Sequence, residues 1–362
     1  MQEKSEAILV YVGTWTHTDE KSEGIYLYRL DPSSGALEFT GLTPAENDPA
    51  YLALDPQQRF IYVVHEDLKP HGAVSAFSIH PETGALTHLN QRSTQSAGPC
   101  YLSTDKTGKC VLVSNYSSGS VCLLPIEEDG RVGAVTDHVQ HKGSSVNPDR
   151  QTAPHPHSIV VDPSNRFAFV PDLGLDKVLI YQLDVSGGRL KPNDTPWIQV
   201  KAGAGPRHLV FHPGGGYAFL ANELDSTITS FTYDQSSGTL REVLTVSALP
   251  EEFDAENTCS DIHVAPSGAF VYGSNRGHDS IVIFAVSQNT GELTLVGHES
   301  TRGETPRGFA IDPTENFLLA ANQDTDTVVS FRIDPQTGGL SSTGHVVEVP
   351  SPVCVKMIQR VA

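Results

Sequence analysis

The sequence predicts an all-β fold, a seven-bladed β-propeller with four antiparallel strands in each blade. The first observation is a short signature, a turn glycine followed two residues later by an apolar residue that opens a strand. It occurs at intervals of about 50 residues, at Gly35, Gly84, Gly130, Gly188, Gly238, Gly291 and Gly338. The second is composition: 31 glycines and 24 prolines among 362 residues favour short strands joined by tight turns. Because the repeat runs from end to end, we predict a single domain over residues 1–362.

One repeat is clearest between Pro206 and Gly238. It predicts strands over 207–211, 217–222, 227–233 and 240–246, with a turn at His212 and Pro213 between the first two. In each strand apolar residues alternate with small or polar residues, as in a sheet packed between neighbouring sheets. Each blade is therefore predicted to be a four-stranded meander.

The seventh repeat is divided between the two ends of the chain. The sequence predicts a lone first strand over 353–358 and the other three strands over 8–13, 25–30 and 37–42. Pairing of these segments closes the ring and satisfies the strand edges that an open stack of blades exposes. No Trp-Asp dipeptide occurs and glycine doublets are not periodic, so the repeat is neither of the WD40 nor of the kelch type.

Charge and cysteine content limit the possible partners. The chain carries 43 acidic and 24 basic residues, a net charge of −19, which repels phosphate backbones and anionic lipid. We expect no nucleic-acid or membrane partner, and a monomer or weak homo-oligomer. The five cysteines form no Cys-x-x-Cys pair and are odd in number, so we predict buried free thiols. Residues 1–6 are charged and show no secretory apolar segment, which predicts a cytoplasmic protein.

Differences between the copies point to one end of the central channel. In a four-stranded meander the start of strand one lies beside the end of strand two, on one rim. The first position of strand one is filled by Ala50, Cys100, His157, Arg207, Ser260, Arg307 and Val353. The position after strand two is filled by Glu66, Tyr116, Leu173, Glu223, Arg276 and Gln323. Because the scaffold is common to all copies, the ionisable exceptions predict a functional site at this rim.

The longer loops open on the same rim. An insertion over 142–155 carries Arg150 and leads into His157, which is predicted to begin a first strand. A second loop covers 250–258 and a third covers 66–72. Loops extended on one face of a scaffold commonly carry a binding site. The Asn or Asp that ends strand two recurs and is expected to cap a turn in most copies, while Asn115 is kept as a candidate substrate ligand.

A structural role is the simpler alternative for each of these side chains taken singly. A lone arginine on a rim commonly forms a salt bridge to an adjacent blade, and Glu223 is a suitable partner for one. The segment from His155 to His157 has metal-like spacing, but no cysteine or carboxylate cluster accompanies it, so we predict no metal and no other cofactor. What favours function is that four ionisable positions map independently to one end of one channel. They are His157, Arg207, Glu223 and Arg276.

At these positions the chain resembles the lactonase family of seven-bladed propellers. The matching stretches are 154–158 (Pro-His-Pro-His-Ser), 205–208 (Gly-Pro-Arg-His), 221–223 (Ala-Asn-Glu), 274–276 (Ser-Asn-Arg) and 305–309 (Thr-Pro-Arg-Gly-Phe). The similarity spans nearly the whole chain. The family includes bacterial 6-phosphogluconolactonases and fungal 3-carboxy-cis,cis-muconate lactonizing enzymes, so the resemblance predicts the fold more specifically than the substrate.

The resemblance also implies a metal-free active site. Its catalytic residues would be His157, Arg207, Glu223 and Arg276. His155 competes with His157 for the histidine role, and the repeat favours His157. The further candidates for binding substrate are His155, Arg150, His208, Arg307, Glu66 and Asn115.

These residue types suit the hydrolysis of a lactone. An imidazole that titrates near neutral pH is able to activate water and then to protonate the departing ring oxygen. Glu223 is a candidate either to orient the imidazole or to take the proton itself. Arginines suit an oxyanion or an anionic group of the substrate. Because the protein as a whole is acidic, arginines gathered in one place imply a local anion site.

Three classes of function stay open at this point. The favoured one is hydrolysis of a small anionic sugar lactone, 6-phospho-D-glucono-1,5-lactone, to 6-phosphogluconate, a reaction of the pentose phosphate pathway. A carboxymuconate-type lactonizing isomerase would close a ring with similar residues, and a non-catalytic propeller would bind a protein or small ligand on the rim. The sequence does not separate the first two, because both substrates are small anions.

Overall fold

The computed structural model describes residues 7–16, 22–66 and 69–360. These residues form seven antiparallel sheets of four strands each, arranged as the blades of a β-propeller. The charged segment 1–6 and part of the predicted loop over 66–72 lie outside the described residues. In the described part of the chain, no helix has the length and apolarity needed to cross a membrane.

The strands follow one another as consecutive meanders. The chain begins with β1 (Ala7–Thr14), β2 (Gly24–Leu30) and β3 (Leu37–Pro44). Blade 1 comprises β4 (Pro49–Leu54), β5 (Phe60–His65), β6 (Ala73–Ile79) and β7 (Leu86–Ser93). Blade 2 comprises β8 (Pro99–Thr104), β9 (Cys110–Asn115), β10 (Ser120–Pro125) and β11 (Asp137–Gln140). Blade 3 comprises β12 (Val160–Val161), β13 (Phe167–Asp172), β14 (Lys177–Asp184) and β15 (Arg189–Gln199).

The second half of the ring repeats the pattern. Blade 4 comprises β16 (Pro206–Phe211), β17 (Tyr217–Asn222), β18 (Thr227–Asp234) and β19 (Thr239–Ser247). Blade 5 comprises β20 (Thr258–Val264), β21 (Phe270–Arg276), β22 (Ser280–Val286) and β23 (Leu293–Ser300). Blade 6 comprises β24 (Pro306–Ile311), β25 (Phe317–Asn322), β26 (Thr327–Ile333) and β27 (Leu340–Glu348), and the chain ends with β28 (Pro352–Arg360).

The two ends of the chain close the ring, which confirms the predicted split blade. Strand β28 pairs antiparallel with β1 along its whole length, from Ala7 opposite Arg360 to Thr14 opposite Pro352. Blade 7 therefore has the order β28-β1-β2-β3. Because β28 pairs with β1 as the channel-lining strand, this blade has four strands like the others and the ring is closed.

The core lies between blades. Each of the seven hydrophobic clusters joins the facing surfaces of two adjacent sheets; one of them packs Phe219 and Ile228 of blade 4 against Val271 and Phe284 of blade 5. The five cysteines lie buried in or beside these clusters and are all free thiols, as predicted.

The repeated turn glycine has two physical causes. All seven copies adopt a positive φ, for example 68° at Gly238 and 73° at Gly291, which side chains with a Cβ rarely adopt. Each copy also packs tightly on the preceding blade: a Cβ at Gly238 would collide with the Phe167 ring, and one at Gly291 would collide with the Tyr217 ring. The signature thus marks a contact between blades as well as a turn.

One strand is shorter than the repeat predicts. The register places the start of the first strand of blade 3 at His157, but β12 contains only Val160 and Val161. Pro156 still forms an isolated bridge with Asp172, so the register of the other blades is kept. Between Pro156 and Val160, the hydroxyl of Ser158 donates to the carbonyl of Arg207 in blade 4. This segment is therefore hydrogen-bonded to the neighbouring blade as well as to its own sheet.

Candidate active site

A cavity of about 200 Å³ opens at the predicted rim of the channel. Three lining residues occupy the first position of strand one: Cys100, His157 and Arg307. Four occupy the position after strand two: Glu66, Tyr116, Glu223 and Arg276. The eighth lining residue, Arg150, comes from the insertion over 142–155. The two positions at which the repeats disagree therefore supply almost the entire wall of the cavity.

Glu223 is the centre of the charge network. Its Oε1 accepts from Arg150 at 2.6 Å. Its Oε2 lies 3.0 Å from Arg207 Nε and 3.1 Å from a terminal nitrogen of Arg276. Burial alone raises the pKa of this carboxyl, but the charges of Arg276, Arg207 and Arg150 outweigh that effect and lower it to about 2. Glu223 is therefore a carboxylate that holds three guanidinium groups together.

Arg207 lies beneath the cavity and is almost fully buried. It occupies the second position of β16, and its Nε donates to Glu223. One terminal nitrogen donates to the carbonyl of Ser260 at 2.8 Å and lies against the His208 ring, 3.2 Å from Nε2 and 3.5 Å from Nδ1. Because the guanidinium is fixed on three sides, Arg207 sets the position of Glu223 from below.

His157 faces the cavity from blade 3. Its Nε2 lies 3.8 Å from Glu223 Oε2 and its Nδ1 lies 3.7 Å from the thiol of Cys100. Burial and the charge of Arg207 hold the pKa of His157 well below its usual value of 6.5. The ring is therefore a neutral imidazole at neutral pH, with a lone pair available to accept a proton.

Arg150 reaches the cavity because its loop is folded on itself. The Asn147 side chain accepts the backbone N–H of Arg150 at 3.0 Å. Next along the chain, the amide of Gln151 donates to Asp176 Oδ1 at 2.7 Å and to the carbonyl of Leu173 at 2.8 Å. Asp176 thereby ties the insertion to blade 3 and aims Arg150 at Glu223.

Arg307 differs from the other three arginines. Its guanidinium carbon lies 4.2 Å from the centre of the Trp15 ring, a cation–π arrangement. Among the described residues no carboxylate forms an ion pair with it. Burial and the charge of Arg207 lower the pKa of Arg307, and the nearby carboxylates of Glu66 and Glu223 oppose this only in part.

Trp15 is a site residue that comparison of the repeats missed. It follows β1, the second strand of the split blade, and is therefore the seventh member of the position that follows strand two. Its indole N–H donates to Glu66 Oε2 at 3.1 Å. Extending the repeat comparison across the two ends of the chain would have identified it.

The structure brings most of the predicted residues to the cavity but not all of them. His155 does not line it; its ring stacks on Tyr116 and its Nδ1 meets the Tyr116 carbonyl at 2.9 Å. His208 is buried below, and Asn115 is fully buried with its amide directed at Ser120. Tyr116 and Cys100 also line the cavity, although neither was among the predicted site residues. Neither side chain carries a charge at neutral pH. Only their register could have indicated them: Cys100 shares the first position of strand one with His157, and Tyr116 shares the position after strand two with Glu223.

Within residues 7–16, 22–66 and 69–360, no three His, Cys, Asp or Glu side chains gather as a metal-binding group. A larger cavity of about 550 Å³ opens at the opposite end of the channel. It is lined mainly by apolar residues of blades 3 to 5, together with Lys106, His212 and His263, and contains neither an arginine nor a carboxylate. The concentration of ionisable groups therefore distinguishes the smaller cavity.

Comparison with known proteins agrees with this geometry. The family model described as lactonase, 7-bladed beta-propeller matches residues 9–357. The 6-phosphogluconolactonase of Bacillus subtilis is 38% identical over 97% of this chain and 98% of its own length. That of Formosa agariphila is 34% identical over 84% of this chain and 86% of its own.

Solved structures give the same result. The periplasmic gluconolactonase of Pseudomonas aeruginosa superposes with a TM-score of 0.93 at 33% identity, covering 98% of this chain and all of that one. Sequence similarity over nearly the full length and a common seven-bladed ring lead to one assignment. The chain belongs to the lactonase family of seven-bladed β-propellers.

Proposed function

We propose that this protein is a 6-phosphogluconolactonase, which hydrolyses the ring ester of 6-phospho-D-glucono-1,5-lactone to 6-phosphogluconate. The observation that carries the proposal is the cavity, where three arginines line the wall and a fourth lies beneath it, in a protein whose net charge is −19. A cationic site in an acidic protein is suited to a small anion. The relatives from Bacillus subtilis and Formosa agariphila, both named 6-phosphogluconolactonase, support the choice of substrate.

The size of the cavity agrees with a single sugar ring. At about 200 Å³ it is smaller than the roughly 300–1,000 Å³ of sites for drug-sized ligands. Glu223 and His157 at its base are buried, while the Arg150 side chain at its mouth is 40% exposed. A sugar lactone would therefore enter with one end directed toward blades 3 to 5.

His157 is assigned the proton transfers. In hydrolysis a water oxygen bonds to the carbonyl carbon, the ring C–O bond breaks, and the departing ring oxygen takes a proton. Neutral His157 accepts the proton of the attacking water and then returns it to the ring oxygen. While it is protonated, the imidazolium faces the Glu223 carboxylate, which lies 3.8 Å away and stabilises it.

Glu223 is assigned a positioning role, because a carboxyl with a pKa of about 2 is a poor proton acceptor. This favours one of the two alternatives that the residue pattern leaves open, orientation of the histidine and the arginines over direct proton abstraction. Arg276 lines the cavity beside it and is assigned to the oxyanion. Its fixed charge would stabilise the tetrahedral intermediate.

Arg307 is assigned the phosphate. It lies across the cavity in blade 6 and lacks an ion-pair partner among the described residues, whereas Arg150, Arg207 and Arg276 all share Glu223. A phosphate there would also offset part of the positive field that depresses the pKa of His157. Binding of the substrate would in this way make the imidazole a stronger base.

Unphosphorylated gluconolactone is the second candidate substrate. It is favoured by the Pseudomonas aeruginosa neighbour, which is named a periplasmic gluconolactonase. The two candidates share the ring ester and differ at the 6-position, so they place the same demands on His157 and Arg276. They differ in whether Arg307 has an anion to bind.

The test is a direct comparison of substrates. Purified protein is mixed with freshly generated 6-phosphogluconolactone, with glucono-1,5-lactone and with 3-carboxy-cis,cis-muconate, and the rates are corrected for spontaneous reaction. We expect the highest kcat/KM for the phosphorylated lactone and none for the muconate. A rate at the spontaneous level with both lactones would contradict the proposal and favour a ligand-binding propeller or, with turnover of the muconate, a lactonizing enzyme.

A matched pair of variants ties the activity to the cavity. His157→Gln removes the proposed base and should lower kcat by roughly 10²–10⁴-fold. His88→Gln, on an exposed part of β7, should leave kcat unchanged. Equal activity in the two variants would remove His157 from the proton transfers.

A further inference from the structure

A buried carboxylate lies directly beneath the arginine network and has no part in the chemistry described so far. Asp261 belongs to β20 of blade 5 and is 5% exposed. Its Oδ1 lies 2.9 Å from His208 Nδ1, and its Oδ2 lies 3.0 Å from His263 Nε2. Oδ1 also accepts the backbone N–H of Ile262 at 3.0 Å. Although burial opposes ionisation, His263 and His208 hold the pKa of Asp261 well below its usual value.

These contacts fix which nitrogen of His208 carries the proton. An ionised carboxylate only accepts hydrogen bonds, so the His208 nitrogen that faces Asp261, Nδ1, must be protonated. A terminal nitrogen of Arg207 lies 3.2 Å from Nε2 and 3.5 Å from Nδ1, so the guanidinium packs on the face of the ring. A neutral imidazole carries one proton, so with that proton on Nδ1 the other nitrogen, Nε2, is bare. Asp261 thus selects the tautomer and fixes the ring against which Arg207 packs.

The remaining neighbours of His208 do not compete for its protons. Its ring meets Tyr101, His157 and Tyr51 edge-on, with centroids 5.1, 5.4 and 6.0 Å away. Burial and the charge of Arg207 lower the pKa of His208 to about 3. The imidazole is therefore neutral over the working pH range and carries one proton.

We infer that Asp261 is a positioning residue for the active site: by accepting the proton of His208 Nδ1 it fixes the imidazole on which the guanidinium of Arg207 packs, and Arg207 in turn holds Glu223. Without this acceptor the His208 ring would be free to turn, and Arg207 would lose its support on that side. The chain of contacts runs from Asp261 through His208 and Arg207 to Glu223. It joins blade 5 to the cavity from below.

The tautomer is measurable without substrate. In protein labelled with ¹⁵N-histidine, two-bond ¹H–¹⁵N correlations distinguish protonated from bare ring nitrogens, and His208→Gln identifies the signal of His208 among the 15 histidines. We expect a protonated Nδ1 and a bare Nε2, unchanged between about pH 5.5 and 8.5 because the ring is neutral throughout that range. A protonated Nε2, or titration within that range, would overturn the inference. This result does not depend on which reaction the protein catalyses.

The kinetic part rests on the proposed lactonase function. Asp261→Ala removes the acceptor opposite His208 Nδ1, and the resulting misplacement of Arg207 should lower kcat about 100-fold. KM should change less than about threefold, because Arg307 is untouched. Asp261→Asn keeps an oxygen opposite Nδ1 and should restore at least a tenth of the wild-type kcat. Thermal unfolding of both variants is recorded alongside.

Each result decides the inference. An unchanged kcat in Asp261→Ala, or an Asp261→Asn variant that is no more active than Asp261→Ala, would overturn it. If Asp261→Ala does not fold, the Asp261→Asn kinetics and the His208 tautomer in the wild-type protein decide. If the wild-type protein hydrolyses no lactone, the proposed function fails, and the tautomer measurement still tests the link from Asp261 to His208.

Discussion

The substitution Arg307→Met separates recognition of the phosphate from catalysis on the ring. Methionine keeps an unbranched apolar stem against Trp15 but removes the positive charge that lies 4.2 Å from the indole. Since Arg307 forms no ion pair with a carboxylate of the described residues, its removal leaves no such carboxylate unpaired. The main effect should therefore fall on substrates that carry an anion at that end of the cavity. Loss of the Arg307 charge also raises the pKa of His157, so the rates are compared at about pH 8, where the imidazole is neutral in both proteins.

The size of the effect follows from the charged hydrogen bond that the substitution removes. Hydrogen bonds to charged groups contribute about 1.5–3 kcal/mol each. At about 1.4 kcal/mol for each factor of ten, this corresponds to a fall of roughly 10–150-fold in kcat/KM for 6-phosphogluconolactone. We expect most of it in KM, because Arg307 binds the phosphate in both the ground and the transition state. For glucono-1,5-lactone the change should stay within about threefold.

The assay compares kcat/KM for both lactones in wild type, Arg307→Met and Arg241→Met. Arg241 lies exposed on β19 and serves as a control for removal of a positive charge far from the cavity. An equal fall with both lactones would mean that Arg307 acts on the ring or its carbonyl. No fall with either lactone would mean that the phosphate binds elsewhere, and both results would refute the reasoning.

Three further predictions concern protonation, packing and thiol chemistry. With glucono-1,5-lactone, which carries no titrating group, the acid limb of kcat/KM should lie below pH 6.5. The lowered pKa of His157 keeps the imidazole neutral as the pH falls through 6.5. An inflection at or above pH 6.5 would contradict this. In a denaturant titration, Gly238→Ala should lower the free energy of unfolding by about 2–5 kcal/mol, because the position has a positive φ and the new Cβ collides with Phe167. Gly344→Ala, with φ 81° but no neighbour within 4 Å, should lower it by only about 1–2 kcal/mol. Equal losses would exclude the contribution of packing between blades. The five buried thiols should react with a thiol reagent only on unfolding, since burial raises their pKa, to about 12 for Cys100; rapid labelling of the native protein would count against this burial.

The fold could be predicted because the turn glycine recurs once in each blade. The turn glycines recur where a positive φ and a close approach to the preceding blade coincide, so their spacing reports the number of blades. The split blade was also predictable, because 353–358 has the pattern of a first strand without a following partner. The shortened β12 was not, because its hydrogen bonds depend on the contact of Ser158 with the next blade.

The site was predictable at its charged positions and less so elsewhere. Residues at one register position share one rim, so His157, Glu223 and Arg276 could be brought together before any coordinates. Depth could not be predicted: Arg207 occupies the same register position as Arg307, yet it lies beneath the cavity. The contact between Arg207 and His208 could not be predicted either. Adjacent residues of a strand normally point to opposite sides, and a bulge in β16 at this point changes that relation.

The central claim is that the arginine-lined cavity is where the lactone ring is opened. The most direct measurement is the initial rate on 6-phosphogluconolactone of Arg276→Met beside Arg241→Met, with thermal unfolding of both. Removal of the oxyanion partner should lower kcat by roughly 10²–10³-fold in a protein that unfolds at nearly the wild-type temperature, while the control keeps its rate. A folded Arg276→Met variant with wild-type kcat would contradict the account.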